Sequence, residues 1–134
     1  MSKKIRKILV VDDEREVTDF IKLELEDYCH DVEVITANCG YEGLRCIMSG
    51  DIDLMLTDIA MPDMDGYELY SRTREMNSKL PIIMMTGFGY DPNHVVVKSR
   101  TDGLKDVIFK PFDTQKLIKM IKERIVPGDS GDES

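Results

Sequence analysis

Charged and hydroxyl side chains stand directly after four short apolar runs in this sequence of 134 residues. They are three acids, a threonine and a lysine: Asp12, Asp13, Asp58, Thr86 and Lys110. Carboxylates that share a cleft repel one another, which raises their pKa values unless a cation compensates. Magnesium prefers oxygen ligands, and two or three carboxylates with a main-chain carbonyl leave positions open for phosphate oxygens. Grouped together, these residues would suit a divalent cation and a phosphoryl group.

The lysine and one of the acids would have distinct roles in such a pocket. The fixed positive charge of Lys110 would stabilise an incoming phosphoryl group and the charge spread over its transition state. Asp58, the single acid after the middle run, is the best candidate for a nucleophile. Its product would be an acyl phosphate. Because such a bond hydrolyses readily, it suits a transient signal better than a stored modification.

Alternating strands and helices are predicted to position these residues. Apolar, β-branched runs predict five strands, at 7–11, 32–35, 53–57, 81–85 and 107–109. Helical spacing predicts five helices, which begin near Glu14, Tyr41, Asp65, Asp91 and Asp113. Alternating β and α units favour a parallel sheet covered on both faces, and ligands bind beyond the carboxyl ends of its strands. The five polar residues would meet at that edge.

Two helices carry more detailed predictions. Asp65 is predicted to cap the third helix, with Glu68 three residues later completing the pattern. The apolar face of the first helix is predicted from helical spacing to hold five side chains, Val17, Phe20, Ile21, Leu25 and Tyr28.

Composition favours a single cytoplasmic domain that folds by itself. Hydrophobic residues make up 42% and charged residues 33%, which is ordinary for a globular protein. No run approaches the roughly 18 apolar residues that a membrane span needs. Cys29, Cys39 and Cys46 form no C-x-x-C pair and are expected to be reduced thiols. The net charge of −8 argues against direct nucleic-acid binding.

Four segments resemble the signature segments of response-regulator receiver domains. They are Val10–Glu14, Leu56–Gly66, Met85–Gly87 and Phe109–Asp113, in the family's order. The resemblance runs from about Lys4 to Ile125. It implies a flavodoxin-like α/β fold, a doubly wound five-stranded parallel sheet of strand order 2-1-3-4-5 with five helices. We therefore expect a receiver domain at 4–126, followed at 127–134 by a disordered acidic tail or the start of a linker.

The resemblance also implies a role for each site residue. Asp58 would take a phosphoryl group from a histidine kinase or a histidine phosphotransfer protein. Asp13, Asp58 and the main-chain carbonyl of Ala60 would hold Mg2+, for which Mn2+ could substitute, and Asp12 would assist through water. Thr86 would reorient to bind the phosphate, and Lys110 would pair with it. Such a protein is a signalling switch, not an enzyme.

The way in which the signal would leave the pocket is left open by the sequence. Receivers usually meet a downstream protein or effector domain, or a second copy as a weak homodimer, through the fourth and fifth predicted helices and the fifth strand. Val107 stands where receivers commonly carry a mobile aromatic residue. Either the backbone from Thr86 to Phe88 shifts, or Phe88 or Tyr90 serves as the mobile ring.

Two other functions remain as alternatives. A phosphohydrolase of the haloacid-dehalogenase type also uses an aspartate nucleophile and magnesium, but it needs a second acid two residues later. Ala60 occupies that place after Asp58, while Asp51 and Asp53 have the spacing but follow Ser49-Gly50 instead of a strand. The second alternative is an interaction domain of the same fold that is never phosphorylated.

Overall fold

The computed structural model describes residues 5–87, 106–110 and 113–133, and these contain five strands and four helices. The strands are β1 (Arg6–Val11), β2 (Val32–Ala37), β3 (Leu54–Asp58), β4 (Ile82–Thr86) and β5 (Val107–Phe109). The helices are α1 (Arg15–Tyr28), α2 (Gly40–Met48), α3 (Gly66–Met76) and α4 (Thr114–Glu133). The helix predicted to begin at Asp91 lies outside the described residues, so the predicted count of five helices is not confirmed.

All five strands pair in parallel in a single sheet of order β2-β1-β3-β4-β5, as predicted. The register aligns the last residues of neighbouring strands: Val11 pairs with Thr57, Asp58 with Met85, and Thr86 with Phe109. The carboxyl ends of β1, β3, β4 and β5 therefore lie side by side at one edge of the sheet.

The sheet is buried on both faces because consecutive side chains of a strand point to opposite sides. In β1, Ile8 and Val10 pack in one apolar cluster with residues of α1 and α4, while Leu9 and Val11 pack in a second cluster with residues of α2 and α3. All four side chains are fully buried. Continuous apolar runs are what a strand covered on both faces requires.

The buried face of α1 is narrower than predicted. Thr18, Ile21 and Leu25 are buried, whereas Phe20 is 54% exposed and Tyr28 is 53% exposed. The three buried residues follow one another at spacings of three and four, which is a single line along a helix. Phe20 precedes Ile21 by one residue and so lies about 100° away around the helix axis. Its placement on the buried face was wrong.

The ends of two helices bear on the sequence predictions. The Asp65 carboxylate accepts a hydrogen bond from the Glu68 main-chain nitrogen at 2.9 Å, so the predicted cap of α3 is confirmed. At the other end of the chain, α4 runs to Glu133. The domain boundary at residue 126 and the disordered tail at 127–134 stay predictions.

Two further expectations concern the cysteines and the membrane. Cys29, Cys39 and Cys46 are all free thiols in the structure. Among the described residues, no helix combines the length and the apolar character that crossing a membrane would take.

Candidate functional site

Asp12 and Asp13 lie side by side after β1 but in different surroundings. Asp12 is completely buried, and its Oδ1 accepts a hydrogen bond from the main-chain nitrogen of Glu14 at 2.9 Å. Its Oδ2 accepts from Lys110 Nζ at 2.7 Å. Asp13 is exposed. The buried acid is thus held by two donors, whereas its neighbour is accessible to solvent.

Asp58 ends β3 and is 6% exposed. Its Oδ1 lies 3.5 Å from Lys110 Nζ. The loop that follows is pinned by two main-chain hydrogen bonds, from Ile59 to the Met85 carbonyl at 2.9 Å and from Gly66 to the Ile59 carbonyl at 2.8 Å. Asp58, the nucleophile predicted from the sequence, therefore lies at the end of β3 beside the positively charged Lys110 side chain, and the loop after it is held by hydrogen bonds.

The three acids converge closely enough to share a metal ion. Asp12, Asp13 and Asp58 each offer a carboxylate oxygen, and these oxygens all lie within 4.8 Å of one another. An all-oxygen set with one exposed member suits a hard divalent cation that keeps part of its water shell. Ala60, the predicted carbonyl ligand, is exposed in the loop after β3. The residues present thus fit Mg2+, and the metal role of each stays a prediction.

The electrostatics of the metal-free pocket disfavour the ionised form of Asp58. Burial and the charge of Asp12 raise the pKa of Asp58 to about 6, although Lys110 acts in the opposite direction. Burial alone would lower the pKa of Lys110, but the hydrogen bond to Asp12 and the charges of Asp58 and Asp12 outweigh it and raise that pKa. The lysine is therefore charged, and the pocket holds more negative charge than one lysine compensates.

Thr86, at the end of β4, is 1% exposed. Its Oγ1 has no hydrogen-bond partner among the described residues. A buried hydroxyl without a partner is costly, and such exceptions in folded proteins call for an explanation. The main-chain carbonyl of Thr86 accepts from the Lys110 nitrogen at 2.7 Å, which places both residues at the same strand ends. A bound oxyanion would supply the missing partner.

One residue that contacts the site was not predicted from the sequence. Asn38 follows β2, and its Nδ2 donates to the main-chain oxygen of Asp12 at 2.8 Å. Its only signal in the sequence is a polar side chain directly after a strand, and β2 was given no chemical role. Of the predicted residues, Asp12, Asp13 and Asp58 lie close together, Lys110 contacts Asp12 and Asp58, and Thr86 lies at the same edge of the sheet.

The acid pair with D-x-D spacing lies at the opposite edge of the sheet. Asp53 precedes β3, and its carboxylate accepts a hydrogen bond from the main-chain nitrogen of Lys7, near the start of β1, at 2.9 Å. Asp51 lies 3.6 Å from Lys7 Nζ. Because these acids are at the amino ends of the strands, they cannot assist chemistry at Asp58.

The chain matches a known protein family over most of its length. Residues 8–122 match the family described as the response regulator receiver domain. This chain belongs to that family. Among solved structures, the receiver domain protein (CheY-like) from Methanospirillum hungatei JF-1 is 32% identical, with a TM-score of 0.85, and the match covers 96% of this chain and 99% of that one.

Curated relatives of this receiver domain are response regulators of greater length. SaeR of Staphylococcus epidermidis is 34% identical over 113 residues, which is 83% of this chain and 46% of SaeR. ArlR of Staphylococcus saprophyticus is 36% identical over 118 residues, 87% of this chain and 50% of ArlR. The chain thus spans about half the length of these relatives.

Proposed function

We propose that this receiver domain is the phosphoacceptor switch of a two-component or phosphorelay pathway. Asp58 accepts a phosphoryl group from the phosphohistidine of a histidine kinase or a histidine phosphotransfer protein, in a reaction that depends on Mg2+. The observation that carries the proposal is the convergence of Asp12, Asp13 and Asp58 within 4.8 Å, with Lys110 3.5 Å from Asp58.

In the transfer step, a carboxylate oxygen of Asp58 forms a bond to phosphorus while the nitrogen–phosphorus bond of the donor breaks. The electron pair of that bond stays on the imidazole nitrogen, which takes up a proton. Asp58 must be ionised to attack, and a pKa of about 6 leaves most of it ionised at neutral pH. Bound Mg2+ or Mn2+ would offset the carboxylate repulsion and draw the phosphoryl oxygens into place.

The remaining site residues act on charge and position. Asp13, Asp58 and the main-chain carbonyl of Ala60 would hold the cation, and Asp12 would assist through water. Lys110 neutralises the charge that spreads over the transferred group. The Thr86 hydroxyl donates to a phosphate oxygen once that oxygen is present. A state in which Thr86 and Lys110 contact the phosphate better is then favoured by phosphorylation.

The output follows from that shift in population. Phosphorylation changes the surface made by the predicted helix from Asp91 to Gly103, by β5 and by α4, and so controls a downstream protein or effector domain in the cytoplasm. We also propose that two copies of the domain form a weak homodimer through the same surface. We do not propose that this domain binds nucleic acid or a membrane directly.

Beryllofluoride, which mimics a phosphoryl group on a carboxylate, tests the proposal. Titrating the protein with beryllofluoride and Mg2+ should shift backbone amide resonances at the ends of β3, β4 and β5 in NMR spectra. Asp58→Asn should show no shift under the same conditions. Equal spectra with and without beryllofluoride would favour the interaction domain that is never phosphorylated.

Variants of Thr86 test separately whether Asp58 accepts the phosphoryl group and whether the rest of the domain responds to it. Thr86→Val removes the hydroxyl with little change of shape, whereas Thr86→Ser keeps the hydroxyl and serves as the matched control. Thr86→Val should still bind beryllofluoride at Asp58 but lose most of the shift at β5. If both variants respond like the parent protein, the Thr86 hydroxyl does not couple the phosphate to the surface.

A further inference from the structure

The side chain of Asn38 joins three segments at the carboxyl edge of the sheet. Its Nδ2 donates to the main-chain oxygen of Asp12 at 2.8 Å and to Thr18 Oγ1 at 3.2 Å. Its main-chain nitrogen donates to Glu42 Oε1 in α2 at 2.7 Å. The start of the β2–α2 connection is thereby tied to the end of β1, to α1 and to α2.

The hydrogen bond from Asn38 to the Asp12 carbonyl affects the direction in which the Asp13 side chain projects. The carbonyl oxygen of Asp12 belongs to the same planar peptide unit as the nitrogen of Asp13, so a donor on that oxygen fixes the plane from which Asp13 projects. On its other side, the Asp12 nitrogen donates to the Ala37 carbonyl at 3.1 Å. Both main-chain groups of Asp12 are thus bound to consecutive residues, Ala37 and Asn38.

Asp13 depends on this support more than the other two acids do. Asp12 and Asp58 are buried and contact Lys110, whereas Asp13 is exposed. Among the described residues, neither close packing nor a counter-ion holds its side chain. Its carboxylate nevertheless lies within 4.8 Å of the other two. The orientation of its main chain therefore determines where the Asp13 carboxylate lies.

Thr18 provides a contact of Asn38 that does not involve the acids. It is fully buried, and its Oγ1 donates to the Arg15 carbonyl at 3.0 Å while it accepts from Asn38. Removal of this hydroxyl takes away two hydrogen bonds of α1 but leaves the bond from Asn38 to Asp12 in place. Thr18 thus offers a control for purely structural effects.

We propose that Asn38 is a positioning residue for the cation site. It orients the Asp12–Asp13 peptide so that the exposed carboxylate of Asp13 converges with those of Asp12 and Asp58. The inference rests on the proposed function in treating these acids as a cation site. Partners that orient metal ligands typically change metal affinity by about 10- to 100-fold when they are removed.

The test compares Mn2+ affinity with fold stability in single variants of the full chain. Mn2+ affinity is measured by electron paramagnetic resonance of the free ion, and stability by urea unfolding in EDTA. Asn38→Ala should weaken Mn2+ binding by about tenfold or more. Thr18→Val should lose stability but bind Mn2+ within about twofold of the parent, because the bond to Asp12 persists. Asn38→Ser, whose side chain is too short to reach the Asp12 carbonyl, should weaken Mn2+ binding as Asn38→Ala does. It replaces Asn38→Ala in the test if that variant fails to fold.

Failure of the positioning role and failure of the cation site would give different results. Parent-like Mn2+ affinity in Asn38→Ala or Asn38→Ser would overturn the positioning role while leaving the cation site intact. An equal loss of affinity in Thr18→Val would also overturn it, since the effect would then follow stability. If the parent and Asp13→Asn bind Mn2+ equally weakly, the acids are no cation site, and the proposed function fails together with this inference.

Discussion

Lys110 lies between two buried carboxylates and contacts them unequally. Its Nζ is 2.7 Å from Asp12 Oδ2 and 3.5 Å from Asp58 Oδ1. Asp12 is completely buried, and a buried charge without a partner is strongly destabilising, so the shorter contact goes to the acid that needs it more. Of the two buried acids, Asp58 is therefore the one whose charge is less compensated. That is the buried position at which an incoming cation gains most.

The pKa of Asp58 leads to a prediction about the stability of the metal-free protein. Its folded pKa of about 6 lies above the ordinary value of 3.8, so folding favours the protonated form. This contribution to stability is fully present below the ordinary value and is lost as the pH rises through about 6. Above that pH, the ionised carboxylate destabilises the fold.

Asp58→Asn should therefore stabilise the metal-free protein at pH 8 by about 3 kcal/mol, because the folded pKa of about 6 lies about two pH units above 3.8 and each unit corresponds to about 1.4 kcal/mol. The gain should shrink towards zero near pH 4. Urea unfolding in EDTA at both pH values measures it. An equal gain at pH 4 and pH 8, or a loss at pH 8, would contradict this account of the pocket.

At the scale of the elements, the free edge of β2 is covered by side chains of α1. The Val34 nitrogen donates to Glu26 Oε2 at 2.8 Å, and its carbonyl accepts from Lys22 Nζ at 2.9 Å. Lys22 also donates to Glu26 Oε2 at 2.8 Å. Burial alone would raise the pKa of Glu26, but the hydrogen bonds from Lys22 and Val34 lower it. Unpaired strand edges invite pairing with other chains, and this pair satisfies the edge at Val34.

Glu26→Ala should destabilise the protein by about 1 kcal/mol, the usual net value of a hydrogen bond at a partly exposed site. Hydrogen exchange of the Val34 amide should become faster, because its acceptor is gone. Glu26→Gln keeps an acceptor of the same shape and should lose less than half as much stability. If exchange at Val34 is the same in Glu26→Ala as in the parent, the carboxylate does not protect this edge.

The turn into α3 leaves no room for a side chain at Gly66. A Cβ built there would lie 2.5 Å from the Asp58 carbonyl oxygen and 2.8 Å from Ile59 Cα. Both neighbours are main-chain atoms, so relief requires the loop after Asp58 to move. Gly66→Ala should destabilise the protein by about 2 kcal/mol or more, in the range of overpacking.

Gly87→Ala is the matched control, because a Cβ there would lie 3.8 Å from Lys110 Cδ, an ordinary contact. It should change the free energy of unfolding by less than half as much. Thermal or urea unfolding of the two variants compares them directly. Equal stability of Gly66→Ala and the parent would mean that the loop gives way more easily than its two main-chain hydrogen bonds suggest.

For the molecule as a whole, the site exists only when the sheet is complete. Lys110 and Asp12 are 98 residues apart in sequence, yet Lys110 Nζ lies 2.7 Å from Asp12 Oδ2 in the structure. An unfolded chain cannot hold three carboxylates and a lysine together, so a cation that binds them binds the folded state alone. Binding and global stability are therefore linked.

Mg2+ should raise the free energy of unfolding by about 1.4 kcal/mol at ten times its dissociation constant. Asp13→Asn should show a much smaller increase, because it removes one exposed ligand without disturbing the core. Thermal unfolding across a Mg2+ series at fixed ionic strength checks this. A parallel rise in both proteins would indicate a general salt effect instead of a specific site.

The sequence by itself determined the strands, their alternation with helices and the types of residue at their carboxyl ends. Runs such as Ile8–Val11 specify a doubly covered strand through local composition, and Asp12, Asp58 and Thr86 follow such runs directly. Parallel pairing then brings strand ends to one edge. Four signature segments in order sufficed to indicate the family.

Only the tertiary structure decided which groups touch. The preference of Lys110 for Asp12, the bridge from Asn38 to Asp12 and the exposure of Phe20 all depend on how separate segments pack. Local patterns carry no information about distances across the sheet, because these are set when side chains from distant segments compete for the same space and the same hydrogen-bond partners.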